Sequence, residues 1–238
     1  MKWGFIKRRK ELLRDQERVR ELIVMRAKDR RGLTEQDFVN AGASLNVRPE
    51  LLHAFYATES SNSGFDSNGR LKILYEPHVV SRNTGRRLDG RKFPWKWRGN
   101  EIEVQLSYRK WKPLSKAKRY EWHPYKEDET GRWEMLATTY ELEEGALAGA
   151  SYGGFQILGE NAVSLGYSDT LDMIEHMYEG EAAHLEAAIR FLRRNNGIQA
   201  LRDGDSRTIE RIWNGKYAGG RFAAKFDNHA EKLRRAYV

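Results

Sequence analysis

The 238-residue chain contains no cysteine. This absence excludes a disulfide framework, a zinc–thiolate site and a thiol nucleophile. It does not indicate a compartment, because a fold that does not depend on oxidation is stable in the cytosol and in the periplasm alike.

Long apolar runs are also missing. No segment approaches the roughly 18 consecutive apolar residues that a membrane-spanning helix needs. The N-terminus begins with basic residues but lacks an apolar core and a small-residue cleavage site, so we do not expect a secretory signal. A substrate outside the cytoplasm would have to be reached by another route.

Positive charge is plentiful and unevenly placed. The chain has 42 Lys and Arg against 34 Asp and Glu, a formal net charge of +8. Residues 1–31 hold twelve basic and five acidic side chains, and residues 91–133 hold twelve and six, so the rest of the chain is net acidic. Such a balance favours a polyanionic partner, which could be nucleic acid, anionic lipid or the bacterial envelope.

Helical patterns dominate the chain. Residues 5–31 predict a charged helix with a sparse apolar stripe. Thr34, followed three residues later by Asp37, predicts a capped helix start. Pro49 opens a further helix that ends near Glu59. An extended stretch follows at 71–76, and further helices are predicted at about 132–148, 154–165, 169–195, 198–202, 206–213 and 221–236. The predicted fold is α+β, mostly α-helical, with a small β-sheet after the Glu59 helix.

The first candidate for chemistry is Glu59, which opens the segment ESSNSGF (residues 59–65). A carboxyl at the end of an apolar helix is partly shielded from water, which raises its pKa. A carboxyl that stays protonated near neutral pH can act as the general acid that protonates a glycosidic oxygen. Alone, this pattern is more often that of an ordinary surface glutamate at a helix end.

Two later segments carry groups that suit a sugar ligand. In residues 151–157, paired glycines permit close backbone approach, and Gln156 offers both a donor and an acceptor. In residues 213–215, Trp213 can stack on a sugar ring, while Asn214 can bind substrate or orient the glutamate. Each segment has a structural alternative: a helix start with packing glycines, and a helix end with a core tryptophan.

Taken together, the three segments resemble the lysozyme-like superfamily of goose-type lysozymes and lytic transglycosylases. The closest resemblance is to the N-acetylmuramidase domain of phage endolysins. It rests on residues 59–65, 68–87, 149–161 and 213–237, and extends from about Leu33 to Val238.

That resemblance implies a lysozyme-like fold and cleavage of the β-1,4 bond between N-acetylmuramic acid and N-acetylglucosamine in peptidoglycan. It carries the catalytic role to Glu59 and implies that Ser60, Tyr152, Gly154, Gln156, Trp213 and Asn214 bind substrate. Tyr152 and Trp213 stand where the family has tryptophan and tyrosine, respectively. Both replacements keep an aromatic ring.

Glu76 is the candidate for a second catalytic carboxylate. It lies 17 residues beyond Glu59, at the predicted strand, and we expect it to activate water or to stabilise the oxocarbenium-like transition state. The alternative is a salt bridge to Arg82 or Arg86; Asp66 and Asp89 are weaker rivals for the role. If Glu76 is structural, a lytic transglycosylase reaction with 1,6-anhydro products becomes the alternative.

The two basic regions define the predicted domain layout. Residues 1–31 form a basic N-terminal helical extension, which would either adhere to the anionic envelope or be a partly frayed, solvated helix. Residues 32–238 form the catalytic domain, with an aromatic and basic insertion at about 91–131. The insertion would be a wall of the glycan cleft, a nucleic-acid surface or a loop that packs onto the domain.

The sequence thus predicts a monomeric glycoside hydrolase without cofactor, metal or nucleic-acid partner. Its expected location is the host bacterial cytoplasm, with access to peptidoglycan through a holin lesion, or alternatively the virion. The competing functions are a non-catalytic wall-binding or virion protein and a basic nucleic-acid-binding protein.

Overall fold

The structure of the protein, a computed structural model, describes residues 14–59, 63–110, 123–215 and 219–237. Helix α1 is described over residues 14–24. The other α-helices are α2 (Glu35–Leu45), α3 (Pro49–Glu59), α4 (Pro77–Asn83), α5 (Glu129–Leu142), α6 (Thr170–Met177), α7 (Glu181–Arg194), α8 (Gly197–Asp203), α9 (Ser206–Asn214) and α10 (Arg221–Leu233).

Two small antiparallel sheets accompany these helices. The first orders its strands β1 (Ile73–Tyr75), β4 (Ala150–Tyr152) and β5 (Ile157–Leu158), with Ile73 opposite Tyr152 and Tyr152 opposite Ile157. The second is a hairpin of β2 (Lys92–Trp97) and β3 (Asn100–Gln105). The mostly helical α+β fold with a small sheet after α3 is as predicted.

The predicted helix starts are confirmed where local chemistry determines them. Thr34 caps α2 in a capping box: its hydroxyl accepts from the Asp37 backbone, and the Asp37 carboxylate accepts from the Thr34 backbone N–H at 2.7 Å. Pro49 lies at the first position of α3, where its missing N–H costs nothing. Because α3 also ends at Glu59 as expected, its length fixes where the candidate acid emerges.

Two predicted helices are wrong. The pattern over 169–195 is split into α6 and α7 by Gly180, whose φ of 146° interrupts the helical backbone. A Cβ on Gly180 would lie 3.2 Å from the backbone oxygen of Asp29, so the glycine also permits a close approach. The segment 154–165 is not an α-helix but a turn, strand β5 and two short 3₁₀ helices.

Residues of the N-terminal segment pack into the core of the domain, and the division between residues 31 and 32 stays a prediction. Val19 and Leu22 are each 1% exposed, within the main core. The Tyr178 hydroxyl donates to the carbonyl of Leu22, and the Ala27 N–H donates to the carbonyl of Gly69, each at 2.9 Å. The predicted helix over 5–31 is described only from residue 14, and it ends at residue 24.

The basic charge of this segment is largely paired within the protein. Arg18 binds Glu175 at 2.7 Å, Arg20 binds Glu141 at 2.6 Å, and Lys28 binds Glu179 at 2.5 Å. Envelope adhesion through residues 1–31 stays a prediction, and residues 1–13 of that segment lie outside the described residues.

The hairpin β2–β3 occupies the predicted insertion. Phe93, Trp95 and Ile102 pack against the core, and the Trp95 indole N–H donates to Glu127 at 3.0 Å. The ring of Trp97 lies near the cationic groups of Arg98 and Lys126, 4.6 and 5.7 Å from its centroid. Packing onto the domain thus accounts for Phe93 and Trp95, while a glycan-facing role stays a prediction for Trp97. Residues 111–122 of the insertion lie outside the described residues.

Across the described ranges, no helix combines the length and the apolar character that crossing a bilayer requires.

Candidate active site

Glu59 is the last residue of α3 and is partly buried. The inner face of that helix is apolar, with Leu52 and Phe55 fully enclosed. Burial raises the pKa of the Glu59 carboxyl, and hydrogen bonds from Trp213 and Asn214, together with the charge of Lys225, only partly offset this effect. The protonated form is therefore favoured relative to an ordinary surface glutamate.

Trp213 and Asn214 reach Glu59 from the end of α9. The Trp213 ring is half-buried and makes edge contacts with Phe55, Phe155 and Phe191, with ring centroids 4.8, 6.2 and 4.9 Å away. Packing therefore fixes the position of this ring, whose polar group lowers the pKa of the nearby Glu59 carboxyl. Trp213 thus packs against the core, as the structural interpretation predicted, and it also lies beside the candidate acid.

A cavity of about 530 Å³ adjoins this end of α9. It lies between α9 and α10 and is lined by Arg207, Glu210, Arg211, Gly215, Gly219, Gly220, Ala223, Ala224 and Asp227. A larger cavity of about 800 Å³ lies between α2 and α7, but the candidate site residues are not among those that line it. The groups that suit glycosidic chemistry surround Glu59 and do not line the larger cavity.

The turn that carries Gln156 packs beside α3. Phe155 contacts Phe55 and Tyr56, with ring centroids 5.4 and 5.6 Å apart. Gln156 itself has an exposed side chain and a φ of 51°, which is costly for a residue with a Cβ. Its amide donates to the carbonyl of Gly153 at 2.8 Å. Backbone strain of this kind is typical of functional turns.

Two predicted substrate-binding residues face inward instead. Tyr152 is fully buried, and its hydroxyl donates to the carbonyl of Leu147 at 2.7 Å, so its ring offers no face to a sugar. Gly154 is buried as well, and its N–H points to Nδ1 of His184 at 3.3 Å. The close approach that this glycine permits is to Gly64, not to a ligand. Ser60 lies outside the described residues.

Glu76 follows strand β1 and precedes α4. Its carboxylate accepts from the Ser151 hydroxyl at 2.7 Å and lies 3.7 Å from Nε2 of His78. The expected alternative, a salt bridge to Arg82, does not form, because Arg82 binds Glu160 at 2.6 Å. Glu76 is half-buried. Its neighbours are Ser151 and His78, whereas those of Glu59 are Trp213 and Asn214.

The two rival carboxylates have structural roles. Asp66 binds Arg70 at 2.9 Å and accepts from the N–H groups of Asn68 and Arg70, which lowers its pKa despite partial burial. Asp89 accepts hydrogen bonds from the hydroxyls of Ser81 and Ser107.

Sequence reasoning missed a buried pair on the first turn of α7. Glu181 is 3% exposed and His184 is 1% exposed. The Glu181 carboxylate accepts from the Ser63 hydroxyl and the Gly64 N–H, four and five residues after Glu59. The only sequence signal was a Glu and a His three positions apart on one face of an amphipathic helix, which is too common to identify a site.

No group of three or more His, Asp or Glu side chains in the described ranges is arranged to hold a metal ion.

Comparisons with known proteins identify the family and the fold of the chain. The sequence pattern described as N-acetylmuramidase matches residues 48–237. Among solved structures, the chain is similar to a Burkholderia AP3 phage endolysin, with 27% identity and a TM-score of 0.67. The similarity covers 88% of this chain and 74% of that one. No curated protein matches the sequence.

The fold and the family match define a lysozyme-like enzyme that degrades peptidoglycan. The chain belongs to the N-acetylmuramidase family, which was the resemblance expected from its motifs.

Proposed function

We propose that Glu59 is the general acid of a muramidase that cleaves the β-1,4 bond between N-acetylmuramic acid and N-acetylglucosamine. The observation that carries this proposal is the environment of the Glu59 carboxyl. It ends an apolar helix, its pKa is raised by burial, and it contacts Trp213 and Asn214. A carboxyl that keeps its proton near neutral pH can give it to the leaving oxygen of a glycosidic bond.

The surroundings of Glu59 suit both its neutral form, before proton transfer, and its ionised form, after it. After the proton has left, Trp213 and Asn214 can donate to the resulting carboxylate and stabilise it. Before transfer, the desolvated surroundings favour the neutral acid. Gln156 is exposed on a strained turn. We propose that its amide group binds a sugar hydroxyl or acetamido group as donor and acceptor.

Glu76 is proposed as the second carboxylate, which activates water or stabilises the oxocarbenium-like transition state. What supports the role is that a half-buried carboxylate is oriented by the Ser151 hydroxyl without an arginine partner in the described residues. Its second neighbour, His78, lies too far for a direct hydrogen bond.

The test compares Glu59→Gln and Glu76→Gln with the wild type by turbidity loss of purified peptidoglycan. We expect Glu59→Gln to reduce kcat by about 10²–10⁴-fold, the usual contribution of general acid catalysis. A clear loss in Glu76→Gln would support the second role, and near-normal turnover would remove Glu76 from the mechanism. Near-normal turnover of Glu59→Gln would overturn the whole proposal.

The product decides between hydrolysis and a lytic transglycosylase reaction. Hydrolysis leaves a reducing muramic acid end, whereas attack by the C6 hydroxyl of the substrate leaves a 1,6-anhydro end that is lighter by one water. Mass spectrometry of digested peptidoglycan distinguishes them, and we expect reducing ends.

We also propose that the protein acts in phage-induced lysis of a bacterial host, as a free endolysin that reaches the wall through a holin lesion. The similarity to a phage endolysin supports this role. Lysis that occurs only when a holin is co-expressed would support it. Lysin activity carried by purified phage particles would instead favour the virion-associated alternative.

A further inference from the structure

The most enclosed pair of ionisable side chains in the described residues contacts the segment that begins four residues after the proposed acid, and it takes no part in the proposed proton transfer. Glu181 and His184 lie one turn apart on α7, with Oε2 of Glu181 3.3 Å from Nδ1 of His184. Burying two ionisable groups is costly unless each finds several partners. The groups that Glu181 and His184 contact therefore indicate the role of the pair.

Glu181 binds the segment that follows Glu59. Its Oε1 accepts from the Ser63 hydroxyl at 2.6 Å and from the Gly64 N–H at 2.7 Å. Two hydrogen bonds from adjacent residues to one carboxylate oxygen restrict both the side chain and the backbone of that segment. The position of Ser63 and Gly64, four and five residues beyond the proposed acid, therefore depends on Glu181.

His184 binds the turn that carries Gln156. Its Nε2 donates to the carbonyl of Met177 at 3.0 Å, which fixes the ring, and its Nδ1 lies 3.3 Å from the backbone nitrogen of Gly154. Glu181 and His184 thus join two segments that are about 90 residues apart in the chain and that both carry proposed site residues.

Three segments are in close contact here: Ser63 and Gly64, the turn that carries Gln156, and the first turn of α7. A Cβ on Gly64 would lie 2.0 Å from Nδ1 of His184 and 2.4 Å from the backbone nitrogen of Gly154. Lys72 adds a second connection, since its ammonium donates to the carbonyl of Ser63 at 2.8 Å and its carbonyl accepts from the Gly153 N–H at 2.9 Å. A small movement of one segment must therefore displace the others.

We propose that Glu181, acting with His184, is a positioning residue for the muramidase reaction, which fixes Ser63 and Gly64 relative to the turn that bears Gln156. The inference rests on the proposed role of Glu59. It adds that transition-state geometry depends on a carboxylate that never touches the substrate. Displacement of a proposed catalytic group by about 1 Å can cost up to 10²-fold in rate.

The experiment measures kcat and KM on soluble peptidoglycan fragments for Glu181→Ala, Glu181→Gln and Ser63→Ala. Glu186→Ala is the matched control, because Glu186 lies on the same helix, contacts His176 and Arg190, and is about half exposed. Thermal unfolding of each variant establishes that it is folded at the assay temperature. Glu59→Gln is measured alongside.

We expect Glu181→Ala to lower kcat about tenfold or more while KM changes less than about threefold, because geometry rather than binding is lost. Glu181→Gln should recover most of kcat, since its amide oxygen can still accept from Ser63 and Gly64 and its NH₂ can donate to His184. Ser63→Ala, which loses one of the two bonds, should lower kcat a few-fold. Glu186→Ala should match the wild type.

A folded Glu181→Ala variant with wild-type kcat, or with a loss confined to KM, would overturn the inference. If Glu181→Ala does not fold, Ser63→Ala decides in the same way, because the Gly64 N–H bond is kept. The proposed function fails separately: it is rejected if Glu59→Gln stays active, whereas an inactive Glu59→Gln beside a fully active Glu181→Ala rejects only the positioning role.

Discussion

The pKa values of two glutamates near the same segment of chain are shifted in opposite directions. Glu59 is partly buried and has a raised pKa, whereas Glu181 is almost completely buried and has a lowered pKa. Burial opposes ionisation in both. At Glu181 it is outweighed by the contact with His184 and the hydrogen bonds from Ser63 and Gly64, whereas Trp213 and Asn214 do not outweigh it at Glu59. The supply of donors, rather than depth, decides whether the pKa of each carboxyl rises or falls.

The largest expected effect is that of Gly64→Ala, because the added methyl would force Gly64 away from His184 and Gly154. The added methyl would lie 2.0 Å from the His184 ring and 2.4 Å from the backbone of Gly154, and neither can move freely. We expect the free energy of unfolding to fall by about 3 kcal/mol or more. Chemical denaturation measures this.

Gly32→Ala is the control for Gly64→Ala, because nothing lies within 4 Å of a Cβ at Gly32. It should change stability by less than about 0.5 kcal/mol. Equal stability of the two variants would show that the three segments are not in the close contact described.

A second test uses the pH dependence of stability, which should have opposite signs at the two glutamates. A carboxyl whose folded pKa is raised holds a proton that the unfolded chain has lost, so its contribution becomes unfavourable as pH rises through the window between the two values. A carboxyl whose folded pKa is lowered contributes stability above its unfolded pKa, and this is lost as pH falls through the folded value.

Glu59→Gln should therefore stabilise the fold at neutral pH and have little effect near pH 4, while Glu181→Gln should destabilise it at neutral pH and progressively less in acid. The scale is about 1.4 kcal/mol for each pH unit of separation between folded and unfolded pKa values. Denaturation curves at several pH values check both signs. The same sign for both variants would contradict the comparison.

The smallest expected effect is that of Asn214→Ala. Loss of a donor to ionised Glu59 should raise the pKa of that carboxyl further, so the alkaline limb of the kcat/KM profile should move to higher pH. We expect a shift below about one pH unit, because Asn214 is exposed and water replaces part of the lost bond. Asn40→Ala, an exposed amide on α2, should leave the limb in place. A shift to lower pH would show that Asn214 does not donate to Glu59.

Local chemistry made part of this structure predictable. The Thr34 capping box, Pro49 at the start of α3 and the end of that helix at Glu59 each depend on residues within a few positions of one another. The fold class and the family also followed from the sequence, because short motifs in a fixed order are more specific than any one of them.

Long-range contacts account for what could not be predicted. Tyr152 is buried because its hydroxyl reaches Leu147 within the core, which an aromatic-glycine motif does not reveal. Gly180 breaks an otherwise continuous helical pattern in order to pass Asp29, about 150 residues away in the chain. Glu181 and His184 are meaningful only once Ser63 and Gly154 lie beside them.

The placement of residues 14–31 sets a practical limit for redesign as an antibacterial. The recognised family pattern begins at residue 48, yet Val19 and Leu22 complete the core and Ala27 is hydrogen-bonded to Gly69. A fragment trimmed to the family boundary would leave an open apolar patch around Tyr178. A targeting peptide grafted ahead of residue 14 would leave those contacts in place.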